Sequence, residues 1–183
     1  ALAYPSHFRA AKDLGWSKEE NLEDDEGLQL QSSLRWIRKL YDFYDEKLPE
    51  TRKQYGGVDW PVVLTGDSVM TEPETVRRFA ALARLNTDKL RFQWDSASKE
   101  RVERNTKRGK RMYSTLLAST GIDRSKVADS VDIAAEASKW GEEFGDRAAS
   151  KIEGWVRAAM LDYEYLKARR LRAEPMVADG RHV

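Results

Sequence analysis

Apolar residues recur at alternating spacings of four and three from Leu30 through Leu34, Ile37, Tyr41 and Tyr44 to Leu48, placing them on one face of a helix that Pro49 ends. Arg35, Arg38, Lys39, Asp42 and Asp45 fall on the opposite face. The pattern predicts an amphipathic helix packed through its apolar side. Upstream, Ala1 to Trp16 mixes aromatic and small residues, and an acidic run of Glu19, Glu20, Glu23, Asp24, Asp25 and Glu26 comes next. Such a run reads either as a solvated loop or as the first turn of the next helix, whose dipole favours negative charge. Gly56-Gly57 marks a loop over residues 54–59, and Pro61-Val62-Val63-Leu64 is the one apolar, β-branched run that predicts a buried strand. A second helix is predicted to start at Thr71, which has capping-box spacing to Glu74 and Pro73 in the first turn; Val76, Phe79, Ala80 and Ala83 form its buried stripe.

The rest of the chain is helical in period and rich in charge. Segments around 97–104, 111–119, 132–144, 146–160 and 163–172 are predicted helices, parted by Gly121, Gly145 and the Leu161-Asp162 junction. Trp140, Phe144, Ile152, Trp155 and Val156 supply apolar faces there, and the tail after Pro175 is expected to fray. No internal repeat or low-complexity segment is visible. The fold class this predicts is mostly α with one or few short strands. A lone buried strand, however, leaves its own N–H and C=O groups unpaired at about 1–3 kcal/mol each, so Val62–Leu64 calls for neighbouring strands that this sequence does not obviously encode.

Composition narrows the function classes. The 183 residues carry 32 Lys and Arg against 31 Asp and Glu, a net charge of +1, which gives no one-signed field for a globally basic nucleic-acid binder. With 40% hydrophobic and 10% aromatic residues, one folded unit is expected rather than a disordered chain. Cysteine is absent, which excludes disulfide frameworks, thiolate metal sites and cysteine nucleophiles. No apolar run approaches the roughly 20 residues that span a bilayer, and Ala1 to Arg9 lacks a leader pattern, so no membrane partner and a cytoplasmic setting are expected. The sequence opens at Ala1 in a pattern typical of mid-protein, from which a further amino-terminal part is expected.

The stretch from Val62 through Thr65-Gly66-Asp67-Ser68 and Glu72-Pro73-Glu74 to Phe79 resembles the strand, loop and helix of sulfotransferases. Leu34 to Tyr44, Leu90 to Trp94, Ser114 to Ile122 and Tyr163 to Leu166 extend the likeness. Together they resemble the carboxy-terminal half of the fungal sulfotransferase-like, P-loop-containing family, from about Tyr4 to Arg172. The resemblance implies a parallel sheet sandwiched by helices, with residues 1–174 as the carboxy-terminal portion of the domain and 175–183 as a tail. It also implies 3′-phosphoadenosine 5′-phosphosulfate as the donor of a sulfuryl group to a hydroxyl or amine of a small-molecule acceptor. The remainder of the same protein, or a companion chain, would supply the sheet, and Val62–Leu64 would be one of its interior strands.

In that family backbone N–H groups at a helix start and a Lys hold the 5′-phosphosulfate in a Gly-rich turn. This sequence has no Gly-rich turn followed by Lys and Ser/Thr, and Gly56-Gly57 leads into Val58 and Asp59, whose charge repels phosphate. By resemblance, Ser6 in Tyr4-Pro5-Ser6-His7-Phe8-Arg9 matches a Ser that contacts the 3′-phosphate; by residue type alone it equally suits a helix cap after Pro5. Lys107-Arg108-Gly109 is similar to the family's Arg-Lys-Gly turn on the same phosphate. It departs from that turn in residue order and lacks the turn's later glycines and lysine, and the alternative is a solvated helical face within the basic stretch Lys99 to Arg111.

Other constellations are weaker. That basic stretch has only Tyr113 beside it, so no stacking platform for nucleic acid is expected. His7 and His182 are the only imidazoles; His182 sits in the tail, His7 has no neighbouring acid in sequence, and no metal site, triad or catalytic base is assigned. Among the six tryptophans, Trp36, Trp94, Trp140 and Trp155 read as core or interface anchors, one or two of which, with Tyr41, could line an acceptor pocket. Two functions are compatible with these residues: part of a sulfotransferase acting by in-line transfer with charge stabilisation, or a non-catalytic helical interaction protein derived from the same fold.

Overall fold

The computed structural model describes residues 3–16, 21–47, 60–124, 127–128 and 131–173. The predicted helix stop at Leu48-Pro49, the loop over 54–59 and the tail from 175 lie outside the described residues.

Tyr4, Phe8 and Ala11 recur on one side of α1 (Ala3–Leu14) and are buried, so α1 is a core helix. It packs with α2 (Glu26–Ser32) through Leu28 and with the hairpin of α9 (Ile133–Phe144) and α10 (Asp146–Ala168). Gly145 makes that hairpin possible: its φ of 88° and ψ of 156° suit a residue without a Cβ. Trp140, Ile152 and Val156 sit at the centre of the cluster, each no more than 2% exposed. The acidic run serves two ends. Asp25 caps α2 by accepting the Leu28 N–H at 3.0 Å, while Glu23 and Asp24 face Arg147 and Lys151 in the first turns of α10.

Three predicted boundaries are corrected. The helix expected from Leu30 to Leu48 is broken at Ser33, whose extended ψ of 146° separates α2 from α3 (Arg35–Lys47). The junction expected at Leu161-Asp162 is absent, because Asp162 stays in α10 and forms a 2.9 Å ion pair with Arg38. Thr71 is not the cap of the next helix. Its hydroxyl turns back to the Asp67 carbonyl at 2.9 Å within α4 (Gly66–Thr71), and Glu72 takes the cap position of α5 (Pro73–Leu82), with Pro73 in the first turn as expected.

The buried stripe expected of α3 holds within that helix only at Tyr41. Ile37 and Tyr44 are 56% and 40% exposed, whereas Tyr41 is buried and α3 meets α10 through Arg38–Asp162, Asp42–Tyr165 and the Tyr41–Tyr165 ring pair. The helix has docked through its more polar side.

Residues 60–124 add short elements: α4, α5, a 3₁₀ turn at Thr87–Lys89, α6 (Lys99–Glu103), α7 (Lys107–Met112) and α8 (Ser114–Ala118). The chain is mostly helical. Among the described residues β pairing is confined to two isolated bridges, a parallel one between Val63 and Arg170 and an antiparallel one between Gln93 and Gly121. Val62–Leu64 is thus extended but half-buried, with one ladder hydrogen bond, from Leu171 N–H to the Val63 carbonyl at 2.8 Å. The interior strand expected here is a half-covered edge, because its neighbour is the single turn that leaves α10.

Candidate functional site

Both predicted contact elements lie on the surface. Ser6 is exposed in the first half of α1, inside the helix rather than at its cap. Lys107, Arg108 and Gly109 form the first turn of α7, where Thr106 accepts the Gly109 N–H at 3.0 Å. A Cβ at Gly109 would lie 3.2 Å from Asn105 Oδ1 and 3.3 Å from the Thr106 hydroxyl, so glycine keeps this cap uncrowded.

Trp16 links the two elements. The Arg108 guanidinium stacks 4.7 Å from its ring, His7 meets the ring edge-on at 5.7 Å, and Arg111 pairs with Asp13 at the end of α1. His7 and Arg108 therefore both contact one indole, but among the described residues no hydrogen bond joins Ser6 to α7. His7 Nδ1 lies 2.8 Å from the Ser32 hydroxyl, and burial pushes its pKa below the usual histidine value. Among the described residues its side-chain hydrogen-bond partner is this hydroxyl rather than a carboxylate. Among the described residues no group of three His, Cys, Asp or Glu side chains converges as a metal site.

A different region forms the larger concavity. Residues after the 3₁₀ turn run extended beside the chain leaving α8, joined by Trp94 N–H to the Thr120 carbonyl at 3.1 Å and Ala97 N–H to the Leu117 carbonyl at 2.8 Å. Trp94 Nε1 also donates to Ser119 Oγ at 3.2 Å. The strands approach closely at Gly121, where a Cβ would sit 3.3 Å from the Phe92 carbonyl. Between this pair and the α4–α5 corner lies an open groove of about 1000 Å³, at the upper end of the range for small-molecule sites. Met70, Pro73, Phe92, Ala118 and Ile122 give it an apolar lining, Thr115 and Thr120 offer hydroxyls, and the exposed Arg91 and Arg124 add positive charge beside the carboxylate of Asp123.

A buried polar cluster fixes the corner behind it. The Thr65 hydroxyl accepts the Ser68 N–H at 3.2 Å and donates to Ser68 Oγ at 2.9 Å, while Glu72 accepts from Ser68 at 3.3 Å and from Thr75 at 2.7 Å. Asp67, 8% exposed, accepts the Ala128 N–H at 2.9 Å through Oδ1 and leaves Oδ2 buried without a partner. These side chains tie the α4–α5 corner to the segment following the groove, so they position the site rather than line it.

Over 177 residues, 95% of its length, the chain is 38% identical to "Sulfotransferase ppzF" of Metarhizium rileyi (strain RCEF 4871). The protein of the same name from Metarhizium majus (strain ARSEF 297) gives the same figures. Nearly the whole chain is thus similar to part of a fungal sulfotransferase. The chain spans about half the length of these curated relatives, 51% in each case. No protein-family model matches it, and no solved structure matches with significance.

For a sulfotransferase-like chain, the groove is the feature that sequence reasoning missed. Leu90–Trp94 and Ser114–Ile122 carried the resemblance, but residues 111–119 read as one helix, and nothing in their period announced the antiparallel pairing. The aromatic candidates divide. Trp140 is core, Trp155 packs 6.0 Å from Tyr4 at the core edge, Trp94 stands half-buried behind the groove, and Trp36 is 54% exposed. No helix among the described residues is long and apolar enough to cross a membrane.

Proposed function

We propose that this chain is the acceptor-side portion of a sulfotransferase that transfers a sulfuryl group from 3′-phosphoadenosine 5′-phosphosulfate to a hydroxyl or amine of a small molecule. The observation that carries the reading is the 38% identity with two curated fungal sulfotransferases along 95% of the chain. The open groove beside the α4–α5 corner supports it: an apolar lining, two threonine hydroxyls and two guanidinium groups suit a mostly apolar acceptor approaching an anionic donor.

The chain's own residues fit the donor only in part. Lys107 and Arg108 have the charge to contact a peripheral phosphate, and Arg108 is held by Trp16 in a fixed direction. The phosphosulfate itself needs a Gly-rich cradle with Lys and Ser/Thr, which this sequence does not contain. What the chain contributes is binding and orientation of the acceptor, and exclusion of water from one side of it.

The test is steady-state kinetics on the complete protein with a panel of phenol, alcohol and amine acceptors. Thr115→Trp, which fills the groove from the exposed side of α8, is expected to raise the acceptor KM roughly tenfold or more while leaving the donor KM unchanged. An unchanged acceptor KM in Thr115→Trp, or no sulfuryl transfer to any acceptor, would overturn the reading.

A further inference from the structure

Trp36, Ile37, Leu40, Phe43 and Tyr44 are 40–57% exposed and project within an arc of about 120° on α3, while Arg38, Tyr41 and Asp42 face α10. Helices of soluble proteins present such a stripe to a core. Here the arrangement is inverted, and the polar contacts already use the side of α3 that meets this chain. We propose that the outward face of α3 is the seam against which a further polypeptide segment packs, of the kind the Metarhizium sulfotransferases carry outside the stretch they share with this chain. The inference rests on the sulfotransferase reading.

Three observations name that occupant. Each relative has about half its length beyond the matched stretch, enough for a second layer of a domain. The stripe continues toward the half-covered strand edge at Val62–Leu64. α3 runs parallel to α10, with Arg38 at Asp162 and Asp42 at Tyr165, and Val63 pairs with Arg170 just beyond the same end of α10. A layer covering α3 could therefore also add a strand to Val62–Leu64. Lastly, five half-exposed side chains of this size offer on the order of 500 Å², short of the roughly 800 Å² per partner of a standard interface, so two copies meeting through the stripe alone would associate weakly.

The experiment co-expresses the 183-residue chain with the part of the Metarhizium rileyi protein that lies outside the shared stretch, and follows association by light scattering after gel filtration. Because the chain has no cysteine, Leu40→Cys becomes a single maleimide probe of the stripe, and Leu161→Cys, at a position 76% exposed on α10, serves as the control. A one-to-one complex is expected, with Leu40→Cys labelling slowed roughly tenfold or more and Leu161→Cys labelling unchanged. The double substitution Leu40→Glu with Phe43→Glu is expected to weaken association roughly tenfold or more while preserving helicity by circular dichroism, since both positions are exposed. No complex, a complex in which Leu40→Cys reacts at the free rate, or a homodimer of the chain alone that protects Leu40→Cys would each overturn the proposal. Association reads no nucleotide and no product. A complex without sulfuryl transfer would sink the enzyme reading and leave the seam standing; transfer without protection of Leu40→Cys would do the reverse.

Discussion

Neighbouring residues of α3 give opposite expectations, and the pair discriminates sharply between packing by pattern and packing by structure. Leu40 is 57% exposed, so less than half of a transfer free energy of about 1.5–3 kcal/mol is realised, and truncation leaves no enclosed cavity. Leu40→Ala should cost about 1 kcal/mol or less. Tyr41 is 8% exposed and meets Tyr165 edge-on at 6.3 Å with an interplanar angle of 85°; its removal empties the α3–α10 contact and should cost about 2–4 kcal/mol. Urea unfolding followed at 222 nm reads both. With a slope of about 2 kcal/mol per molar, Tyr41→Ala moves the midpoint by about 1–2 M and Leu40→Ala by about 0.5 M or less. The reverse order, with Leu40→Ala the costlier, would mean that the apolar stripe packs inward on this chain, and the seam would fall with it.

Other substitutions probe the core, the corner and the pH response. Ile152→Ala, at a fully buried position in the main cluster, is expected to lower stability by about 2–5 kcal/mol in the same assay. Asp67→Ala strands the Ala128 N–H and should cost about 1–3 kcal/mol, seen as a fall in Tm by calorimetry, whereas Asp67→Asn keeps an acceptor and should stay within about 1 kcal/mol of the parent. Arg84 holds a left-handed φ of 56° after α5, so Arg84→Gly should raise stability by about 0.5–1 kcal/mol. Burial lowers the folded-state pKa of His7 beneath its unfolded value near 6.5, so the unfolded chain binds the proton more readily. Stability is then complete above about pH 6.5 and declines as pH falls through the lowered folded value, and a His7→Gln variant should show a flatter acid limb in urea midpoints measured between pH 7.5 and 5.

What was legible in the sequence was local. Pro73 in a first turn, Gly145 between two helices and the apolar faces of Trp140, Ile152 and Val156 each come from a backbone constraint or a period carried by a few consecutive residues. The misread boundaries have tertiary causes. Asp162 reads as a break until Arg38 is placed beside it, and Thr71 reads as a cap until its hydroxyl is seen to satisfy the Asp67 carbonyl. The orientation of α3 could not be read because a period reveals that an apolar face exists, not which polypeptide covers it. The groove was hidden for a similar reason: the pairing of Gln93 with Gly121 depends on a turn of chain between them that has no strand period. For Ser6 and Lys107-Arg108-Gly109, residue type and resemblance marked candidates, and the structure brings their helices together through Trp16 without joining their side chains.

Donor binding is the most direct measurement of the sulfotransferase account. The complete protein should be titrated with 3′-phosphoadenosine 5′-phosphate while its Tm is followed. A ligand at a hundredfold excess over its Kd stabilises the folded state by about 2.7 kcal/mol, so a rise on the order of a few degrees that grows with the logarithm of nucleotide concentration is predicted, with Lys107→Ala shifting the titration to higher nucleotide concentration. No change in Tm at millimolar nucleotide would contradict it.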